Sequence, residues 1–267
     1  MASSTRQSLA AAKSAIQPLL AKADLKFAEE IFGIGAAVAS STQLRSILSD
    51  PSAEAKAKSG ALSAVFGKSV SATALEFVTT LVGFRWSTGQ DLVAAFEQLA
   101  VYAVAAIAAE NKKLASVESE LFAFKQAVDS DQDLQFALGD RLATDEAKIA
   151  LVETLTKGKV TDEAAVLIRR AITGARRRRV ALVLEQFGKQ VSAFAERLVA
   201  TVTVATPMSD AQLSRLEGVL AKSYGQSLKL NVEVDPAILG GIKVQVAGEI
   251  LDGSLASRLV AAKLQLA

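Results

Sequence analysis

Apolar positions recur at spacings of three and four through the first two hundred or so residues, the period of helices that hide one face, and the pattern occurs twice. Residues 28–82 and 118–172 align without a gap at an offset of 90, with identical pairs at Glu30/Glu120, Phe32/Phe122, Val38/Val128, Leu44/Leu134, Leu48/Leu138, Asp50/Asp140, Lys58/Lys148 and Val70/Val160. Apolar character is also kept at Ile31/Leu121, Val65/Leu155, Phe77/Leu167, Val78/Ile168 and Val82/Ile172. Each unit has the same punctuation. A long helix leads to one ending near Leu48 or Leu138, and Asp50-Pro51-Ser52 or Gly139-Asp140 interrupts it. Further helices are predicted over 54–66 and 71–84, or 144–156 and 161–173, the last opened by capping at Thr161 and Glu163, and a closing helix starts near Asp91 or Val180. Neither Gly nor Pro occurs between Gln90 and Asp129, so the closing helix of the first unit should run directly into the opening helix of the second. Two tandem bundles of five to six helices are expected, over 1–97 and 98–197.

From Leu198 the period changes to two. A strand from Leu198 to Val204 ends before Pro207, and Ser209-x-x-Gln212 opens a helix with the face Leu213, Leu216, Leu220 and Tyr224. Leu228, Leu230, Val232 and Val234 alternate with polar residues, as do Ile242, Val244 and Val246, with Asp235-Pro236 and Gly240-Gly241 between the two runs. That order reads as a strand, a turn and a returning strand. After Gly253 the residues Leu255, Leu259, Ala262 and Leu266 share one face of a final helix, with Ser254 or Asp252 as N-cap. The fold class is therefore mainly α, with a small α/β domain over 198–267 after the two bundles.

Composition narrows the chemistry. The chain has no Cys and no His, which removes thiolate nucleophiles, imidazole bases and zinc sites with nitrogen or sulfur ligands. No Gly-rich phosphate loop, nucleophile elbow or spaced acidic cluster is present, so no enzyme, cofactor or metal is expected. The net charge of +2 is interspersed rather than clustered, against a nucleic-acid partner. Arg176 to Arg179 reads as a solvated turn, Trp86 as a packed cap, and Gly33-x-Gly35 as a place of close helix packing. The apolar run from Leu99 to Ala109 falls short of the roughly 20 residues of a spanning helix. The first 22 residues, without acids and carrying Arg6 and Lys13, read as an amphipathic helix rather than a transit peptide.

The C-terminal series, with Asp235, the Gly-Gly core from Ile238 to Val244, Asp252-Gly253-Ser254 and Arg258, resembles the signature of the δ subunits of F-type ATP synthases, relatives of the mitochondrial oligomycin-sensitivity-conferring protein. Val101 to Ile107 is similar to the Tyr-Ala-x-Ala-Leu first helix of that family, and Arg176 falls where the family carries an Arg. Residues from about 98 to 267 thus look like a whole δ subunit, and the first hundred like an extra copy of its helical domain, as in actinobacterial forms. The extra copy lacks the Tyr-Ala motif and carries Pro18 in its first helix.

The resemblance implies a non-catalytic stator subunit that links α subunits at the top of the catalytic head to the peripheral b stalk and couples proton translocation to ATP synthesis. It implies a peripheral place on the cytoplasmic face of a bacterial cell membrane, with membrane contact only through the complex. The partners it implies are the N-terminal helix of an α subunit, received between the first and fifth helices, and the b subunits, held by the C-terminal domain. The candidate α-subunit groove is Tyr102, Ala105, Ala106 and Ala109 on one helix with Ala164, Leu167, Ile168 and Ala171 on the other. Asp235, Gly240, Gly241, Asp252, Gly253 and Arg258 are the structural signature near the stalk contact. The extra copy would supply a second contact, for another α N-terminus or for the stalk. A helical adaptor of another membrane-associated complex is the alternative.

Overall fold

The computed structural model describes residues 3–20, 23–140, 142–174, 179–197, 199–224, 228–235, 241–246 and 249–252. The apolar stripes become the helices α1 (Ser3–Leu20), α2 (Leu25–Ser40), α3 (Thr42–Ser49), α4 (Ala55–Phe66), α5 (Ala72–Gly83), α6 (Gly89–Glu110), α7 (Leu114–Ser130), α8 (Gln132–Gly139), α9 (Asp145–Thr156), α10 (Asp162–Gly174) and α11 (Val180–Arg197). Short polar residues set their starts. Asp24, Ser41, Ser71, Thr88, Asp131 and Thr144 each accept a backbone N–H of the first turn with a side-chain oxygen, which satisfies a donor that the helix itself leaves open.

The repeat extends from the sequence pattern to individual hydrogen bonds. The Glu30 carboxylate accepts the Ser71 N–H at 3.1 Å and its hydroxyl at 2.5 Å, fixing the start of α5 to α2. Ninety residues on, the Glu120 carboxylate accepts the Thr161 N–H and hydroxyl, both at 2.8 Å, fixing α10 to α7. Asp50 accepts from the Ser52 N–H as Asp140 does from Leu142, and Arg45 donates to the Ala39 carbonyl as Gln135 does to Asp129. Thr161 caps through its hydroxyl, but Glu163 closes no capping box with it: the Glu163 side chain turns to Asn111 and Lys113 instead.

The 22-residue α6 spans the expected border between residues 97 and 98. Every residue from Leu99 to Ala108 is buried, against α1, α2, α3 and α10. By length and composition α6 could cross a membrane, yet 67% of its most apolar window is already covered by the protein. It ends without glycine. Lys112 takes φ 58°, and the N–H groups of Lys113 and Lys112 return to the carbonyls of Ala108 and Ala109, a Schellman closure built on lysine.

Gly35 permits a close approach of α2 to α6, since a Cβ there would lie 2.7 Å from Cβ of Phe96. The equivalent position of the second copy is Lys125, half-buried and ion-paired with Asp129 at 2.6 Å. Trp86 packs as a cap, 4% exposed, its indole N–H donating to the Leu81 carbonyl.

The chain divides into two compact units, Met1–Ser192 and Ala193–Ala267. In the second, β1 (Val199–Val204), β2 (Lys229–Val234), β3 (Ile242–Val246) and β4 (Glu249–Asp252) form a four-stranded sheet in the order β2-β1-β3-β4, and α12 (Asp210–Tyr224) lies between β1 and β2 along the chain. Ala200, Val202, Val204, Val244 and Val246 bury their side chains with Leu220 of α12 and with Leu228. Ser209 and Gln212 make the expected capping box at the start of α12. The expected hairpin is corrected: β2 and β3 do not pair with each other but flank β1, parallel and antiparallel respectively. Alternation marks the faces of a strand and not its neighbours, and α12 supplies the crossover that a parallel pair requires. The hairpin that does form is β3 with β4, a strand the sequence pattern had not marked. The final helix after Gly253 lies outside the described residues.

Adding bulk at the α2–α6 approach should be costly. Gly35→Val is expected to lower stability by about 1–3 kcal/mol, whereas Gly33→Ala, which faces open space, should raise it by up to about 1 kcal/mol. Urea denaturation midpoints check the pair.

Candidate partner-binding site

The eight groove candidates come together on α6 and α10, which pack against each other. Seven of them are buried: Tyr102 and Ala106 at 8%, Ile168 at 1%, and Ala105, Ala164, Leu167 and Ala171 at 0%, while Ala109 is half-buried. What covers the seam is the first copy. The α2 helix touches both α6 and α10, Phe32 sits 6.3 Å from the ring of Phe187 and 5.4 Å from the guanidinium of Arg170, and Arg169 pairs with Glu29 at 2.9 Å. From α1, Gln17 donates to the Tyr102 hydroxyl at 3.4 Å and the Lys13 ammonium lies 5.6 Å over its ring. Small residues thus let four helices of one chain approach closely.

Glu163 holds the seam from below. Its side chain, 2% exposed, accepts from Asn111 at 2.9 Å and pairs with Lys113 at 3.3 Å, joining the start of α10 to the turn after α6. Burial works to raise its pKa, but the hydrogen bonds from Asn111, its own backbone N–H and Lys113, with the Lys113 charge, outweigh that and hold the carboxyl below its ordinary 4.5.

A second concavity of about 650 Å³ opens among α7, α8 and α9, lined by Ala123, Phe124, Ala127, Leu134, Leu151 and Leu155 with Glu120, Asp131, Asp133 and Lys159. Periodicity did not single it out, because its leucines continue the same stripes that fill the core. Their partial exposure, 38% at Leu151 and 42% at Leu155, is a property of packing.

Of the C-terminal signature, Asp235 follows β2 and donates its N–H to the Val204 carbonyl of β1, Gly241 takes φ 92° before β3, and the backbone of Asp252 stands opposite that of Lys243 in the antiparallel register of β3 and β4. Gly240, Gly253 and Arg258 lie outside the described residues, as does Arg176. Among the described residues no group of three or more acids is placed to hold a metal ion.

The family model for the ATP synthase delta (OSCP) subunit matches the chain twice, over residues 19–102 and 100–266. A protein of Leifsonia xyli subsp. xyli described as ATP synthase subunit delta is 42% identical over 267 residues, covering 100% of both chains. Proteins of the same description from Pseudarthrobacter chlorophenolicus and Streptomyces avermitilis are 41% and 37% identical, covering 100% of each chain in the first case, and 98% of this chain and 97% of the relative in the second.

Glu163→Ala should cost about 1–3 kcal/mol of stability at neutral pH. Because the folded pKa lies below the unfolded one, the contribution is present above the ordinary carboxylate pKa and disappears as pH falls through the folded value. Urea melts should therefore show the wild-type and variant stabilities converging below about pH 4.

Proposed function

The chain belongs to the ATP synthase delta (OSCP) subunit family, and from that membership we propose how this non-catalytic stator subunit of the membrane-bound F-type ATP synthase makes its attachments. Its helical part consists of two copies of one domain, assigned to 1–97 and 98–197, followed by the α/β domain 198–267. The observation that carries this is the doubled family match together with the recurring carboxylate ties, Glu30 to Ser71 and Glu120 to Thr161. The copies share α6, which closes the first and opens the second. The subunit is peripheral to the membrane, and we assign it to the cytoplasmic face.

The helical part attaches to the catalytic head by receiving the N-terminal helix of an α subunit, and the C-terminal domain holds the b stalk near Asp235, Gly240, Gly241, Asp252, Gly253 and Arg258. For the first contact the candidate is the seam of Tyr102, Ala105, Ala106 and Ala109 with Ala164, Leu167, Ile168 and Ala171. A helix in an apolar groove uses anchors spaced at three and four residues, and four to six of them at about 1.5–3 kcal/mol each could reach the roughly −12 kcal/mol of nanomolar binding after association costs. The packing adds a condition: α2 occupies the seam, so a guest helix enters only as α2 yields. The same burial supports a second reading, that these eight residues pack the bundle and the head is gripped elsewhere.

Calorimetric titration separates the two. A peptide of about 25 residues from the N-terminus of the same organism's α subunit is titrated into the full chain and into Phe32→Ala, which loosens α2. Competition with α2 predicts binding at least about tenfold tighter to the variant. Equal affinities would remove the seam from the reading.

A further inference from the structure

We propose that the cleft among α7, α8 and α9 is a docking site for a basic amphipathic helix of another subunit of the complex, separate from the α6–α10 seam. The cleft holds about 650 Å³ and its apolar lining is Ala123, Phe124, Ala127, Leu134, Leu151 and Leu155. Phe124 belongs to the core, whereas Leu151 and Leu155 extend past it to the surface. Leu155 is 42% exposed and Leu151 38% while Val152 between them is at 1%, so the core beneath is already complete. Exposed leucines beside a concavity are the surface that an incoming helix covers with apolar anchors at i, i+3 or i+4, and i+7.

The duplication supplies independent support. The same surface in the first copy keeps apolar residues at Ala37, Leu44, Ile47, Val65 and Val70, equivalent to Ala127, Leu134, Ala137, Leu155 and Val160, although Val65 is 55% and Ile47 38% exposed. Two copies that have diverged elsewhere, with Gly35 against Lys125, both keep apolar residues at these positions, and in each some of them stand exposed.

Charge identifies the occupant. Among the described residues, the mouth carries Glu120, Asp131 and Asp133 against one cation, Lys159. Glu120 is held by the neutral Thr161, and Asp131 caps the Leu134 N–H, so among the described residues neither carboxylate is neutralised by an ion pair. A helix flanked by Lys or Arg meets that mouth with complementary potential, which favours encounter and register.

The proposal rests on the stator reading for the source of the helix. Its test is photo-crosslinking in the assembled complex, with Ala127→p-benzoylphenylalanine in the full chain. The expected product joins position 127 to one amphipathic segment of another subunit that carries Lys or Arg beside its apolar face. Adding Leu155→Glu should cut the yield at least tenfold with an unchanged thermal melt, and Asp133→Lys should reduce it and weaken its dependence on salt. A product with a second copy of this chain, no product at all, or a yield indifferent to Leu155→Glu would overturn the cleft. A chain that failed to co-purify with the complex would overturn the stator reading and this proposal with it, whereas co-purification without the crosslink would leave that reading standing.

Discussion

The burial of α6 is the constraint on which the helical unit depends. A helix with ten consecutive buried residues, Leu99 to Ala108, cannot be left with a free face in water. At roughly 25 cal/mol per Å² of apolar surface, uncovering one side would forfeit much of the net stability that a domain retains. The chain meets this by packing helices of both copies around it: α1, α2 and α3 from one, α10 from the other. A border drawn at 97/98 on the repeat passes through this helix, and the contacts gather both copies into one unit, Met1–Ser192.

Sharing a helix makes the copies unequal although their sequences are related. Phe32 and Phe122 are the same residue of the repeat, yet Phe32 is 5% exposed and Phe122 60%. The first is covered because α10 and α11 of the second copy lie over it, with Arg170 and Phe187 against its ring. Among the described residues no equivalent pair of helices covers Phe122. Duplication has therefore turned one face of the first copy into an internal joint and left its equivalent in the second copy open, which is how a repeat gains a new surface without a new fold.

Helix positions were legible in the sequence because capping residues and three-to-four spacing are local signals. α4, α5, α9 and α10 begin and end within about one residue of their expected limits, inside the usual uncertainty of helix ends. The termination of α6 was less visible, since Lys112 adopts the left-handed conformation that a glycine would have announced. Sheet order was not legible: alternation at 228–234 and 242–246 gives the buried face, but the choice of β1 as the common neighbour depends on long-range pairing. For the seam, the sequence identified small apolar residues on α6 and α10 and the fold brings them together. Composition alone could not show that α2 fills the space they leave, because small side chains look the same whether they admit a guest or a neighbouring helix of the same chain.

Native-state hydrogen exchange on the full chain tests most directly whether α6 makes the two copies one cooperative unit. With rising denaturant, the slowest amides of α2, α6 and α10 should converge on a single opening free energy with a single denaturant dependence, equal to that of unfolding the whole helical unit. If the amides of α1 to α5 instead exchanged through an opening that left α6 to α11 fully protected, the copies would be independent and the account of α6 as their shared core would be wrong.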